Sequence, residues 1–119
     1  MDWTFREDQP IYTQLILRLS EGIAAGVYAP GERLPAVREL ALEAGVNPNT
    51  VQRALAELER DGLVYSQRTS GRFVTEETAR IAALRRQMAE ERIREFFTAM
   101  QQLGCTREDI SDLLKEELQ

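Results

Sequence analysis

The sequence predicts a mostly α-helical protein with one small β-hairpin. Three observations lead to this fold class. Apolar residues recur with helical spacing in five segments of the chain. Between the third and fourth segments, two short β-rich runs, LVYSQ and RFVT, flank the turn RTSG. Glycine stands after several of the helical segments, where a helix commonly ends.

The first helix is predicted from the run DQPIYTQLILRLSEGIAAG. Asp8 is a candidate N-cap, Pro10 suits a first helical turn, and Gly26 suits the helix end. A stripe that recurs every four residues is expected to be buried, and it consists of Ile11, Leu15, Leu19 and Ile23. The connection VYAPGERLP follows, with Pro-Gly as its turn.

The next two helices are short and close together in the sequence. AVRELALEAG forms the second, and Asn47 is expected to cap the third, with Pro48 at its first position. Ala41, Gly45 and Val51 have the spacing of a helix-turn-helix. A small residue lies where the helices touch, a glycine forms the turn, and a branched residue faces back from the second helix.

The remainder of the chain completes two predicted domains. Helical spacing resumes from about residue 78 to residue 103, and TRED resembles the capping box of a last helix. Three helices followed by a hairpin form a winged helix-turn-helix. We therefore predict a winged helix-turn-helix domain at residues 1–75, with all of its core residues inside that range. A helical region follows at residues 76–119.

Composition argues against an enzyme and against a metal or cofactor site. The chain has no histidine and a single cysteine, Cys105. It therefore lacks the commonest general base, the usual zinc ligands and any internal disulfide. No apolar run is long enough to cross a membrane, and the N-terminus lacks the pattern of a signal peptide. We expect a cytoplasmic protein with no membrane partner and no cofactor.

The charge is acidic overall and evenly distributed. The net charge is −5, with eight arginines and ten acidic residues in residues 1–75. Residues 76–119 carry six arginines, one lysine and ten acidic residues. Neither half is a basic domain, so a surface for nucleic acid would have to be local, with arginines collected on one face.

The start of the third helix carries polar side chains that suit DNA recognition. In a helix-turn-helix, these first residues point at base edges in the major groove. The amide of Asn49 can pair with adenine, and Thr50 can reach a phosphate or a thymine methyl group. Free N–H groups at the helix start are also expected to face phosphates. For Asn47, helix capping alone is an equally good explanation.

These residues resemble the DNA-binding domain of the GntR family of bacterial transcription regulators. The resemblance runs from about Pro10 to Val74 and rests on PGERLP, RELA, GVNPNTV, LERDGL and GRFV. Only 45 residues follow, as in the small YtrA-like subgroup of the family. The resemblance implies a transcriptional repressor whose partner is double-stranded operator DNA with an inverted repeat.

By position, the resemblance also implies which residues contact DNA. The recognition helix, at about 48–61, would enter the major groove, and the wing, at 66–73, the minor groove. The implied contact residues are Arg38, Asn47, Asn49, Thr50, Gln52, Arg53, Arg68, Thr69, Ser70, Gly71 and Arg72. Two departures stand out, because Pro48 replaces a base-reading arginine of several relatives and Ala36 replaces a common serine. We therefore expect Asn49 and Arg38 to contribute more of the base recognition.

The C-terminal region is expected to form a homodimer. Its apolar residues are too many for one projecting helix to bury, so we expect both helices to pack against those of a second copy. The expected interface residues are Ile81, Leu84, Met88, Ile93, Phe96, Phe97, Met100, Leu103, Ile110, Leu113 and Leu114. The alternative is that the last helix folds back and covers these residues within one chain.

A second function class is a protein-interaction module built on the same winged fold. An arginine-rich polar face on the recognition helix would favour DNA, whereas an apolar patch there would favour a protein partner. The sequence does not identify a small-molecule effector, the operator or the regulated genes.

Overall fold

The computed structural model describes all 119 residues and contains five helices and one hairpin, as predicted. The elements are α1 (Ile11–Ala24), α2 (Val37–Ala44), α3 (Pro48–Arg60), β1 (Val64–Gln67), β2 (Gly71–Val74), α4 (Thr78–Gln102) and α5 (Arg107–Glu117). None of the helices combines the length and apolar character needed to span a bilayer.

Most helix ends follow the local signals in the sequence. Gly45 ends α2 with a φ of 70°, in the left-handed region that favours glycine. Asn47 caps α3, and Thr106 forms a capping box with Asp109 at the start of α5. The prediction that Asp8 caps α1 is wrong. Pro10 occupies the N-cap position without a side-chain bond, because the Asp8 carboxylate pairs with Arg6 at 2.8 Å.

A buried glutamine holds the N-terminal segment against α1. The Gln14 side-chain oxygen accepts a hydrogen bond from the Arg6 N–H at 2.7 Å. Its amide group donates to the carbonyl oxygens of Arg6 and Gln9, at 2.8 and 3.1 Å. Trp3 and Phe5, which precede these hydrogen-bonded residues in the sequence, pack against the main core. These three bonds fix residues 6–9 beside the first turn of α1.

The core lies between α1, α2, α3 and the inner face of the hairpin. Its fully buried members include Leu15, Leu19, Ile23, Leu40, Val51, Leu55, Leu58 and Val74. Leu15, Leu19 and Ile23 belong to the stripe predicted for the first helix, and Val51 is the branched residue predicted to face back from the third. Ile11 is an exception, because it lies in the first turn of α1 and remains exposed.

The hairpin is extended by a third segment that the sequence pattern did not indicate. β1 and β2 are antiparallel, with Val64 opposite Val74. Residues 31–34 run beside β2. Here the Leu34 N–H donates to the Arg72 carbonyl at 2.8 Å, and the Val74 N–H donates to the Glu32 carbonyl at 2.9 Å. Within this segment Arg33 lies opposite Phe73. The loop before α2 is thereby fixed to the wing.

The chain divides into two compact units, Met1–Arg85 and Arg86–Gln119. This division lies ten residues beyond the boundary expected from the sequence. Ile81 is only 4% exposed and belongs to the core of the first unit, against which Leu84 also packs. The expectation that all core residues precede residue 76 is therefore wrong. The first two turns of α4 are part of the winged unit.

Two arginines from these turns reach the ends of other helices in the first unit. Arg85 Nε donates to the Ala24 carbonyl at the C-terminus of α1, at 2.9 Å. Arg80 Nη1 lies 3.5 Å from the Asp61 carbonyl at the C-terminus of α3. Cations are favourable at helix C-termini, where carbonyl groups lack partners. These contacts attach the start of α4 to α1 and α3.

Candidate nucleic-acid interface

The start of α3 presents side chains, not backbone donors. Asn47 Oδ1 accepts a hydrogen bond from the Asn49 N–H at 2.8 Å. The Asn47 carbonyl accepts from the N–H groups of Thr50 and Val51, at 3.0 and 3.2 Å, and Pro48 has no N–H. The expectation that free N–H groups here face phosphates is therefore wrong. Any recognition by this turn has to use its side chains.

The side chains that remain available form an exposed polar face. Asn49, Gln52 and Arg53 are exposed and lie three and four residues apart, so they share one side of the helix. Thr50 is half-buried beside them. The opposite side of α3 carries the buried residues Val51, Ala54, Leu55 and Leu58. The helix therefore separates the residues that hold the fold from those that can contact a partner.

Helix α1 contributes to the same surface, which the sequence pattern did not reveal. The guanidinium carbon of Arg53 lies 3.8 Å from the centre of the Tyr12 ring. Ile11 and Tyr12 of α1 line an open cleft together with Asn49, Thr50 and Arg53 of α3. The signal for this in the sequence was the position of Ile11 at the start of the α1 stripe. An apolar residue in the first turn of a helix has fewer core residues to pack against, so it can remain exposed.

Helix α2 places Arg38 in its first turn, where the side chain is exposed. Ala36 is the N-cap residue of this helix and makes no side-chain cap. The serine that the family resemblance implies at this position would supply a capping hydroxyl, which alanine lacks.

The wing divides its predicted contact residues between two faces. Arg68, Thr69 and Ser70 are exposed at the tip, where the Ser70 N–H donates to the Gln67 carbonyl at 3.1 Å. Gly71 has a φ of 104°, so that a side chain at this position would be strained. Gly71 is exposed to solvent, as are the three tip residues.

Arg72 lies on the face of the hairpin that is turned toward α3. Its Nε atom is buried and lies 3.6 Å from Glu59 Oε1, which is close enough for an ion pair but too long for a hydrogen bond. The Ser66 hydroxyl donates to the same carboxylate oxygen at 2.6 Å. The rings of Tyr65 and Phe73 stack on the other face, with their centroids 5.7 Å apart. The structure therefore separates Arg72 from the exposed tip.

The pairing of arginines shows where positive charge is available in the first unit. Six of its ten arginines have a carboxylate or carbonyl partner, and these are Arg6, Arg18, Arg60, Arg72, Arg80 and Arg85. The four with no such partner are Arg33, Arg38, Arg53 and Arg68. Three of these four are among the predicted contact residues, whereas the fourth, Arg33, was not singled out by the sequence.

The predicted interface residues of the C-terminal region have different environments. Ile81 and Leu84 contribute to the core of the first unit, and Ile110 is fully buried within the chain. Met88, Phe97, Met100 and Leu114 are half-buried. The members left exposed are Ile93, Phe96, Leu103 and Leu113, with Ile93 at 55% and Leu103 at 78%. All four of these exposed residues lie in the second unit.

The sequence matches the profile described as bacterial regulatory proteins, gntR family, over residues 11–74. It is 35% identical to the uncharacterized HTH-type transcriptional regulator YhcF of Bacillus subtilis (strain 168), over 97% of this chain and 95% of that protein. It is 33% identical to the HTH-type transcriptional repressor YtrA of the same organism, over 93% of this chain and 86% of that protein.

Solved structures with the same arrangement include two informative ones. A GntR family transcriptional regulator from Listeria monocytogenes has a TM-score of 0.85 and 38% identity, and the similarity covers 94% of this chain and 98% of that one. The AraR DNA-binding domain in complex with operator ORR3 has a TM-score of 0.54 and 31% identity. This second similarity covers 63% of this chain and 88% of that domain.

Proposed function

The chain belongs to the GntR family of bacterial regulatory proteins and is a DNA-binding transcriptional regulator, and on this basis we propose that it is a repressor that binds a twofold-symmetric operator as a homodimer. Its relatives are regulators and not enzymes, which agrees with the expectation from composition. We place its action in the cytoplasm, where bacterial operators are accessible.

The exposed polar face of α3 is the observation that carries the proposal. Asn49 and Gln52 have amide groups that can donate and accept at once, as an adenine edge requires. Arg53 adds a cation for a phosphate or a guanine. A surface of this kind suits DNA better than a protein-interaction patch, which would be more apolar at its centre. We assign α3 to the major groove.

The wing supplies the second contact with the same duplex. Arg68 is unpaired at the exposed tip, and Gly71 is exposed next to the tip. Arginine is attracted to narrow A·T-rich minor grooves by their negative potential. Arg38, at the start of α2, would contact the DNA between these two elements.

Dimerisation is supported by the apolar surface of the second unit. Five large apolar side chains remain exposed there, and the rings of Phe96 and Phe97 meet edge to face at 5.9 Å. Exposed apolar surface of this extent commonly marks an interface. Two copies related by a twofold axis would present two recognition helices to two half-sites. Repression is inferred from YtrA, which is named as a repressor.

The proposal is tested by selecting the preferred DNA from a random library and measuring both the site and the stoichiometry. We expect an inverted repeat, bound by two chains per site in analytical ultracentrifugation, with a single half-site bound far more weakly. Transcription from a promoter that overlaps the site should fall when the protein is added. A direct repeat, or one chain per full site, would contradict the symmetric mechanism.

A further inference from the structure

We propose that Arg33 contacts DNA together with Arg68, and that Arg72 holds the wing against α3 without touching DNA. Arg33 lies in the loop before α2, outside the hairpin and outside the residues that the family resemblance assigns to DNA. The inference rests on the proposed function, since it names a further contact residue for the same DNA surface.

The backbone pairing places Arg33 on the outer face of the wing. Arg33 lies opposite Phe73, and Gly71 precedes Phe73 by two residues, so these residues share one face of the sheet. A Cβ atom at Gly71 would lie only 3.1 Å from Arg33 Nε. The guanidinium group of Arg33 therefore lies across Gly71, next to the exposed tip.

The charge of Arg33 is also available. Its side chain is exposed and has neither an ion pair nor a hydrogen bond. The carboxylate of the preceding residue, Glu32, accepts a hydrogen bond from the Ala29 N–H at 3.2 Å. In a chain of net charge −5, five of the ten arginines of this unit are neutralised by a carboxylate, so an unpaired one creates positive potential where it lies.

Arg72 has the opposite properties, although it lies within the predicted wing motif. Adjacent strand residues point to opposite faces, and Arg72 therefore faces α3. Its guanidinium is paired with Glu59, which also holds the Ser66 hydroxyl. Glu59 lies near the end of the recognition helix, so this cluster fixes the angle of the wing relative to α3. Arg72 is a positioning residue.

The test compares four variants of the full chain that each remove one positive charge: Arg33→Gln, Arg68→Gln, Arg72→Gln and Arg86→Gln. Arg86 pairs with Glu90 on the exposed surface of α4 and serves as the matched control. Affinity for the selected operator is measured across a series of salt concentrations. A variant that no longer neutralises one phosphate should show a slope of log affinity against log salt that is smaller by about 0.9.

We expect Arg33→Gln and Arg68→Gln to lower affinity and to reduce the slope by about one unit each. Arg72→Gln should lower the melting temperature with the slope unchanged, and Arg86→Gln should change neither. A wild-type slope for Arg33→Gln would overturn the proposal, as would a reduced slope for Arg72→Gln. If Arg68→Gln behaves as expected while Arg33→Gln does not, only this inference fails. If the wild type selects no operator, the proposed function fails with it.

Discussion

Arg53 and Tyr12 form a cation–π pair in which the guanidinium carbon lies 3.8 Å from the ring centre. The contact joins the first turn of α1 to the recognition helix at the exposed surface. A cation held over an aromatic face is attracted by the ring quadrupole and loses part of its rotational freedom. Tyr12 therefore sets the direction in which Arg53 points before any DNA is bound.

Replacing Tyr12 by leucine should weaken binding to operator DNA, whereas phenylalanine should be close to neutral. Leucine removes the π face, and the expected loss is about 0.5–1 kcal/mol for an exposed cation–π pair. Fluorescence anisotropy with labelled operator measures the difference. Equal losses for the two variants would show that the hydroxyl, and not the ring, is the important group.

Replacing Asn49 by alanine should weaken binding to the selected operator by about 1–3 kcal/mol and leave binding to random DNA nearly unchanged. Asn49 is exposed and its side chain takes no part in the helix cap, so the variant should fold normally. Competition assays with both kinds of DNA check the prediction. A uniform loss on both would remove Asn49 from sequence readout.

Replacing Asn47 by alanine should act mainly on stability. Its side-chain oxygen satisfies the Asn49 N–H, and loss of such a cap costs about 0.5–2 kcal/mol. Aspartate or serine at this position should restore most of the free energy of unfolding, as measured by urea denaturation. If Asn47→Ser, which adds no charge, is as stable as the wild type but binds the operator poorly, the amide group of Asn47 contacts DNA as well.

Truncation should distinguish the two units. A chain ending at Arg85 retains Ile81 and the Arg85 bond to Ala24, and we expect it to fold as a monomer. A chain ending at Thr75 loses Ile81 from the core and should melt at a lower temperature.

In the full chain, Ile93→Glu should yield monomers, and Gln102→Glu, at an exposed position of the same helix, should not. Sedimentation velocity measures the oligomeric state of all four proteins, and thermal denaturation compares the two truncations.

The pKa of Asp109 should be lower than its usual value and should rise toward that value in Thr106→Ala. Backbone and side-chain hydrogen bonds with Thr106 stabilise the carboxylate and lower the pKa. Because the folded pKa is depressed, this contribution to stability is present above the ordinary pKa of 3.8 and is lost as the pH falls through the folded value. Carboxyl NMR titration of both proteins measures it. Alanine keeps the backbone N–H that donates to Asp109 Oδ2, so an unchanged pKa in the variant would show that the Thr106 hydroxyl makes no contribution.

The sequence was sufficient to predict the helix-turn-helix, because Gly45, Asn47 and Pro48 act locally at the ends of helices. It was not sufficient to place the arginines. Arg33 and Arg72 differ in their surroundings through the pairing of residues 31–34 with β2, a contact between segments far apart in sequence. Alternation along β2 alone indicates two faces but not which one meets α3.

The extent of the winged core could not be read from the sequence for a related reason. Ile81, Leu84 and Met88 form one continuous helical stripe, and periodicity shows that a face is buried without showing against what. Ile81 packs on the winged core, whereas Ile93 further along the same helix remains exposed. The point along α4 at which the stripe leaves the winged core depends on where the other core residues lie, such as Tyr28 and Leu63. Their positions are set by the whole fold.

The division of α3 into a buried side and an exposed polar side bears on how new specificity can arise. Val51, Ala54, Leu55 and Leu58 hold the helix in place, and none of them can reach a base. If Asn49 and Gln52 read the operator as proposed, we expect substitutions there to change the preferred operator at little risk to folding, because both are exposed. We therefore expect that a duplicated gene for such a regulator can acquire a new operator preference through one or two substitutions. The same two positions are the ones to vary when a new operator preference is designed.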